Sequence, residues 1–203
     1  MRNAWMTLAS VLLLLSLAAP AAARGKGAST APGKYTEWND EVDELEVVQA
    51  FKAADYDRVV VEPFDTSSTP LPQPDDNTYA PAKNVLAHAA EPFMEGLKGE
   101  YPAKPVALED KAKKEPKALI VRAKVVEMDP GSKAARYWAG FGAGAARTQI
   151  TGEVVDAATG QTLLRFTQER RSGVGMMGGD YEKLMNRNLR TIGEDLAGVL
   201  KAF

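Results

Sequence analysis

Residues 148–171 read TQITGEVVDAATGQTLLRFTQERR. In the first part, Ile150 and Val154 alternate with polar residues, and this period of two predicts a strand over 148–155 with one face in water. The part from 163 to 171 predicts a second strand of the same kind. Between them the sequence DAATG supplies turn residues and ends in glycine, so the two strands are expected to form a β-hairpin with a loop of about five residues.

The C-terminal residues carry the clearest helical pattern. Apolar side chains recur every three or four residues, which predicts a long amphipathic helix packed on the sheet. Asp180 precedes the pattern and is placed to cap the first turn, because its carboxylate can accept hydrogen bonds from free N–H groups there. The residues that form this stripe along one side of the predicted helix are Tyr181, Leu184, Met185, Asn188, Ile192, Leu196, Val199, Leu200 and Phe203.

Upstream residues supply the other predicted elements. Apolar spacing predicts a short helix over 41–54, and a β-branched run stopped by proline predicts a strand over 56–64. A helix is expected to begin near Pro81 and to kink at Pro92, since proline cannot donate a hydrogen bond to the preceding turn. The run ALIVRAKVVEM at 118–128 predicts another strand.

The predicted fold class is α+β. We expect a mixed sheet of about four strands, with helices packed on one face and the long amphipathic helix at the C-terminus. Residues 65–80 and 99–117 are polar and rich in proline, and are expected to be exposed connections.

The first residues predict export. Arg2 precedes an apolar stretch from Leu8 to Leu17, and small residues end at Ala23, which is the pattern of a secretory signal peptide cleaved near Ala23. The apolar stretch is shorter than the about 20 residues that span a bilayer, although a retained membrane anchor stays an alternative. The predicted organisation is a signal peptide at 1–23, a flexible tail at 24–40 and a single α+β domain at 41–203.

The amino-acid composition excludes several classes of protein and of functional site. The chain has no cysteine, so an acylated lipoprotein, disulfides and thiolate catalysis are excluded, and a periplasmic protein that is not a lipoprotein is expected. With 25 basic and 27 acidic residues, it lacks the basic excess of a dedicated nucleic-acid binder. His88 is the single histidine and stands among alanines, so the sequence predicts no metal, no cofactor and no catalytic residue.

Residues 129–147 read DPGSKAARYWAGFGAGAAR and combine aromatic rings, arginines and glycines. Trp and Tyr supply apolar area with a polar tip, and glycine allows close backbone approach, a composition typical of contact surfaces. The glycines lack the Lys-Ser/Thr ending of a phosphate-binding loop. The candidate partner-binding residues are Arg136, Tyr137, Trp138, Gly140, Phe141, Gly142, Gly144 and Arg147.

Other interpretations of this segment stay open. Its rings could cap one end of the core, or residues 137–146 could lie in a lipid interface. The Gly-rich loop could instead hold an anionic group together with Arg170 and Arg171. Residues 170–179, RRSGVGMMGG, are a second segment that could either remodel around a partner or simply link a strand to the last helix.

Four motifs resemble a bacterial envelope family classed as a domain of unknown function. They are DPGSxAxRY at 129–137, GFGAG at 140–144, VDAxTG at 155–160 and RxSGVG at 170–175. Members are typically small exported proteins or lipoproteins, and the resemblance covers 56–203. The chain is more distantly similar to the α/β domains of curli-secretion-type lipoproteins and to the N-terminal domain of the Tol-system propeller protein. The family has no defined activity, so it implies no catalytic residue, and this chain lacks the acylated cysteine of the lipoprotein members.

The sequence therefore predicts a non-catalytic periplasmic module for binding or envelope assembly. The expected partner is an envelope protein or a second copy of the chain, and contact with the surface of the inner or outer membrane is a lesser alternative. No nucleic acid is expected. The rival function is a small-ligand or anion-binding protein, or an enzyme, that uses the Gly-rich loop.

Overall fold

The computed structural model describes residues 29–110, 115–129, 145–172 and 180–203. The strands in this part of the chain are β1 (Gly33–Trp38), β2 (Val42–Val47), β3 (Arg58–Val61), β4 (Val106–Leu108), β5 (Ala118–Asp129), β6 (Ala146–Asp156) and β7 (Thr162–Ser172). The helices are α1 (Tyr79–Ala87), α2 (Ala90–Glu100) and α3 (Tyr181–Ala202), with a short 3-10 helix at Ala53–Asp55.

The strands form one mixed sheet in the order β1-β2-β7-β6-β5-β3-β4. β3 runs parallel to β4 and β5, and every other neighbouring pair is antiparallel. The α+β class is confirmed, and so is the β6–β7 hairpin, in which Gly160 adopts a φ of 73° that glycine takes without strain. The prediction of about four strands is wrong, because the described residues alone form seven. One missed strand, β4, has only three residues and is too short to show a period of two.

The region before β3 differs most from the prediction. A flexible tail over 24–40 and a helix over 41–54 are expected from the sequence, but the structure has the β1–β2 hairpin over residues 33–47. Asn39 and Asp40 have φ of 50° and 57°. The Glu41 amide donates a hydrogen bond to the Trp38 carbonyl at 2.9 Å, so these residues form a type I′ turn. Asn and Asp tolerate this left-handed conformation, so the turn outweighs the helical spacing of the apolar residues.

The helices of the described chain pack on one face of the sheet, the inner face. Alternate strand residues such as Ile150, Leu164 and Phe166 point to this face and share one core with apolar residues of all three helices. The predicted capping of α3 is confirmed, since the Asp180 carboxylate accepts a hydrogen bond from the Lys183 amide at 3.3 Å. The apolar residues that α3 buries are Tyr181, Leu184, Met185, Leu189, Ile192, Leu196, Ala197, Val199 and Leu200.

The helix expected from Pro81 is divided into α1 and α2. The sequence predicts a kink at Pro92, whereas the break lies four residues earlier, at His88, whose φ and ψ are −126° and 20°. The ring of Pro92 would collide with the carbonyl of the residue four positions before it, so the chain leaves helical geometry at that residue. No helix in the described ranges is both long and apolar enough to cross a membrane.

Ion pairs cover much of the opposite, outer face. Arg165 donates to Glu46 at 3.0 Å and Arg122 donates to Glu62 at 2.8 Å. Each such half-exposed pair contributes only about 0–1 kcal/mol, so these contacts set the polarity of the outer face more than the stability of the fold. A small apolar cluster of Ala118, Ile120, Val155 and Ala157 lies apart from the main core.

Helices α2 and α3 approach each other backbone to backbone at two glycines. A Cβ atom added to Gly96 would lie 2.0 Å from the Arg190 carbonyl oxygen, and one added to Gly193 would lie 2.0 Å from the Phe93 carbonyl oxygen. No side chain fits at these distances. The separation of the two helices is therefore set by residues that lack a Cβ.

We expect Gly96→Ala to lower the free energy of unfolding by about 1–3 kcal/mol, because α3 must move away from α2. Gly99 lies in the same helix, is exposed, and has no atom within 4 Å of an added Cβ. Gly99→Ala should therefore raise stability by about 0.5–1 kcal/mol through helix propensity. Urea unfolding of both variants checks this, and equal stability of the two would contradict the close crossing.

Asp156 ties the β6–β7 turn to the chain before β3. Its Oδ1 accepts hydrogen bonds from the Ala158 and Thr159 amides at 2.8 and 2.9 Å, and its Oδ2 accepts one from the Tyr56 hydroxyl at 2.9 Å. Partial burial raises the pKa of Asp156, but these hydrogen bonds outweigh it and hold the pKa below its usual value. Burial and the adjacent carboxylate raise the pKa of Tyr56.

A carboxylate with a lowered pKa in the folded state stabilises the protein above its unfolded pKa, and this contribution is lost as the pH falls through the folded pKa. Tyr56→Phe should therefore cost about 1 kcal/mol of unfolding free energy at neutral pH, and less below about pH 4. Urea unfolding at several pH values measures the difference. Tyr79→Phe, which changes a tyrosine outside this contact, should show no such pH dependence.

Candidate functional site

Most of the predicted contact residues fall outside the described part of the chain. Arg136, Tyr137, Trp138, Gly140, Phe141, Gly142 and Gly144 lie within 130–144, and the structure describes only Arg147. Residues 173–179, most of the second Gly-rich segment, lie outside it as well. The described residues on either side of the two segments can be located.

The residues that border the first segment and the residue that precedes the second lie at one end of the sheet. Asp129 at the end of β5 is paired with Arg147, and Ala146 at the start of β6 is paired with Ser172 at the end of β7. We call this the junction end, defined by Asp129, Ala146 and Ser172. Two segments that are separate in the sequence therefore leave the described chain at the same end of the sheet, and the first of them also rejoins it there.

Arg147 lies on the outer face at the junction end. Its Nε donates to Glu169 Oε2 at 2.6 Å and its Nη1 donates to Glu127 Oε1 at 3.3 Å. Arg171 Nε donates to the other oxygen of Glu169 at 2.6 Å. Partial burial raises the pKa of Glu169, but the two guanidinium groups outweigh it and hold the pKa below its usual value. Arg147 on β6 is thus bonded to carboxylates of both strands that flank it, β5 and β7.

Arg170 lies on the inner face, because adjacent residues of a strand point to opposite sides and Arg171 is paired with Arg147. Its Nε and Nη2 donate to the two oxygens of Asp195 on α3, at 2.8 and 2.5 Å. Burial raises the pKa of Asp195, although the Arg170 guanidinium opposes this. Arg147 and Arg170 therefore do not line a common pocket, as an anion site built on both would require.

Gln168 extends this network to β2. Its Nε2 donates to Asp195 Oδ2 at 3.0 Å, and its Oε1 accepts from the Asp43 amide at 2.7 Å. The Asp43 carboxylate in turn accepts from the Glu169 amide at 2.7 Å. A set of hydrogen bonds thus joins β2, β7 and α3 across the inner face.

Asn188 connects the borders of both segments. Its Nδ2 donates to the Ala146 carbonyl oxygen at 3.2 Å, and its Oδ1 accepts from the Ser172 hydroxyl at 2.6 Å. Asn188 is 2% exposed, so these bonds are made away from water. Arg187 Nε donates to the same Ser172 hydroxyl at 3.2 Å. One amide on α3 therefore fixes the first residue of β6 and the last residue of β7.

A family model of a domain of unknown function, DUF4410, matches residues 59–176. The chain belongs to the DUF4410 family. The match runs from the second residue of β3 to beyond the end of β7, and takes in all of the 130–144 segment and residues 173–176 of the second segment of this DUF4410 domain. No curated protein matches.

Two known structures resemble this DUF4410 protein. A PelC dodecamer from Paraburkholderia phytofirmans is 13% identical, with a TM-score of 0.46, over 75% of this chain and 94% of the PelC chain. The protein XCC0632 from Xanthomonas campestris, assigned to the DUF330 family, is 10% identical, with a TM-score of 0.44, over 70% of this chain and 81% of its own. At these identities and scores, neither structure assigns a role to the DUF4410 chain.

Sequence reasoning missed Gln168 and Asp195, and took Asn188 only as a member of the α3 stripe. Polar residues at buried positions of a helix or strand were the available signal. His88, the single histidine, lies on the exposed end of α1 with its Nδ1 3.1 Å from Glu91 Oε1. Within the four described ranges, the structure has no group of three or more His, Asp or Glu side chains able to hold a metal ion.

Asn188→Leu should lower the free energy of unfolding by about 1–3 kcal/mol, because the Ser172 hydroxyl and the Ala146 carbonyl would be buried without this partner. Asn186→Leu, on the same helix but not buried, is the matched control and should change stability by at most about 0.5 kcal/mol. Urea unfolding compares the two variants. Equal effects would mean that the Asn188 bonds contribute nothing specific.

Proposed function

We propose that this DUF4410 domain is a non-catalytic, exported binding module that takes part in envelope assembly through residues at the junction end. One observation carries the proposal. Both borders of the aromatic and Gly-rich segment at 130–144 and the N-terminal border of the second segment at 173–179 lie at one end of the sheet.

The described scaffold suits a binding role. Binding residues in many proteins sit on connecting segments that a rigid core positions. Here Asn188 fixes Ala146 and Ser172, and Asp195 fixes Arg170, so the end of the first segment and the start of the second are held at defined points. These bonds order the base of a contact surface without needing a ligand.

The composition of the 130–144 segment favours a protein partner. Tyr137, Trp138 and Phe141 offer large rings among small residues, and such rings supply most of the binding energy in many interfaces. We propose Arg136, Tyr137, Trp138, Gly140, Phe141, Gly142, Gly144 and Arg147 as the contact residues. The partner would be an envelope protein or a second copy of the chain.

The rival anion-binding function is less well supported. It needs Arg147, Arg170 and Arg171 to face one ligand, but Arg170 points to the opposite side of the sheet from the other two. Each of the three is also bonded to a carboxylate: Arg147 and Arg171 to Glu169, and Arg170 to Asp195. A ligand would have to displace those bonds.

We expect a photo-reactive phenylalanine analogue at position 138 or 141 to form crosslinks to a defined envelope protein in living cells. The same analogue at Leu71, an exposed apolar residue of a described connection, is the control and should form none. The crosslinked chain should come from the periplasmic fraction and begin at Arg24, as the predicted export and cleavage require. Gel mobility and mass spectrometry of the adducts identify the partner, and an adduct of twice the chain mass identifies self-association.

Trp138→Ala combined with Phe141→Ala should abolish the crosslink formed from position 137 and leave the thermal midpoint within a few degrees. If the double variant unfolds, the rings belong to the core and the proposed contact surface is wrong. Crosslinks to lipid alone would favour the membrane-interface alternative. A chain that stays in the cytoplasm with its first 23 residues uncut would contradict export.

A further inference from the structure

A groove between α2 and α3 lies outside the surface discussed above. Its cavity volume is about 540 Å³, within the range of about 300–1,000 Å³ that small-ligand sites occupy. Residues of α3, among them Lys183, Arg187 and Arg190, line one wall, and Glu91 and Glu95 of α2 line the other. The groove is therefore bounded by a basic wall and an acidic wall.

Some of these charges are already paired across the groove or beside it. Arg190 is bonded to Glu95, so these two opposite charges of the groove are already paired with each other. Lys183, whose side chain is 84% exposed, lies 3.6 Å from Asp180. Two charged groups of the groove are not bonded to a Lys, Arg, Asp or Glu side chain of the described chain, namely the guanidinium of Arg187 and the carboxylate of Glu91, which contacts His88.

The buried hydrogen bonds of Ser172 and Asn188 orient Arg187. Its Nε donates to the Ser172 hydroxyl, which itself donates to Asn188. Among the described residues, no carboxylate lies within ion-pair distance of this guanidinium. Its terminal nitrogens are thus available to an oxyanion, for which a planar guanidinium is the preferred partner.

Glu91 supplies the opposite charge on the α2 wall. Its side chain is 56% exposed, and its contact in the described chain is with His88 Nδ1 at 3.1 Å. A ligand of many negative charges would be repelled by Glu91 and Glu95, and a ligand of many positive charges by the α3 wall. The two walls together fit a ligand that carries an anionic group and a cationic group.

We propose that this groove binds a small zwitterionic ligand, in which an oxyanion and a primary ammonium group are joined by a short linker. Arg187 would hold the oxyanion and Glu91 the ammonium. Such a ligand could be a free small molecule or the head group of a lipid. The shared chemistry is the pair of opposite charges, and it is independent of the protein-contact function proposed above.

Isothermal titration of the purified protein with O-phosphoethanolamine tests the proposal, with inorganic phosphate and ethanolamine as its two halves. We expect the joined probe to bind about tenfold or more tightly than either half, because it makes both charge-assisted contacts at once. Arg187→Gln should weaken binding of the probe and of phosphate. Glu91→Gln should weaken binding of the probe and of ethanolamine.

Matched controls make the same charge changes elsewhere. Arg165→Gln and Glu44→Gln, at exposed positions of the outer face, should leave binding unchanged. Vesicles that contain phosphatidylethanolamine separate the two sources, since a lipid head group as ligand predicts sedimentation with them and a free ligand does not.

Equal binding of the probe and phosphate, no saturable binding of the probe, or equal losses in the control variants would overturn the proposal. If Arg187→Gln fails to fold because the Ser172 contact is lost, Glu91→Gln at its half-exposed position still decides the outcome. Neither result depends on whether positions 138 and 141 crosslink to a partner.

Discussion

Helix α3 packs against α2 on one side and against the sheet on the other. These contacts hold the helices and the sheet together. The contact with α2 requires glycine at two points, because a Cβ at Gly96 or Gly193 would collide with the carbonyl oxygen of the facing helix. The close approach lets α3 lie over β6, β7 and β2 at once. Strands from the middle and the start of the chain are thereby covered by a helix from its end, and the core becomes continuous.

The same helix carries polar residues into that core. Asn188 and Asp195 are buried, and burial of an amide or a carboxylate costs free energy unless each polar atom finds a partner. Their partners are Ala146, Ser172, Arg170 and Gln168, which lie at or near the junction end. An apolar core would have held the sheet and helix together without these groups. The polar groups therefore fix the positions of the strand ends where the two Gly-rich segments join the sheet.

Elements whose side chains repeat regularly were predictable from the sequence. The β6–β7 hairpin and α3 have long periodic patterns, a turn sequence and a capping aspartate, so local and tertiary preferences agree. The β1–β2 hairpin was missed because Val42 and Leu45 are three residues apart, which fits a helix as well as a bent strand, and the Asn-Asp turn was not given weight. Of the candidate site, Arg147 was named from composition, yet its partners Glu127 and Glu169 are 20 and 22 residues away and could not be paired without the register.

By itself the sequence determined the fold class, the central hairpin and the amphipathic final helix, because hydrophobic period and turn chemistry act over a few neighbouring residues. Only the tertiary structure decided which distant residues meet. Strand register places Arg147 and Arg170 on opposite faces, and the packing of α3 brings Asn188 to the borders of both segments. Those facts depend on pairing between residues far apart in the chain, which no local pattern encodes.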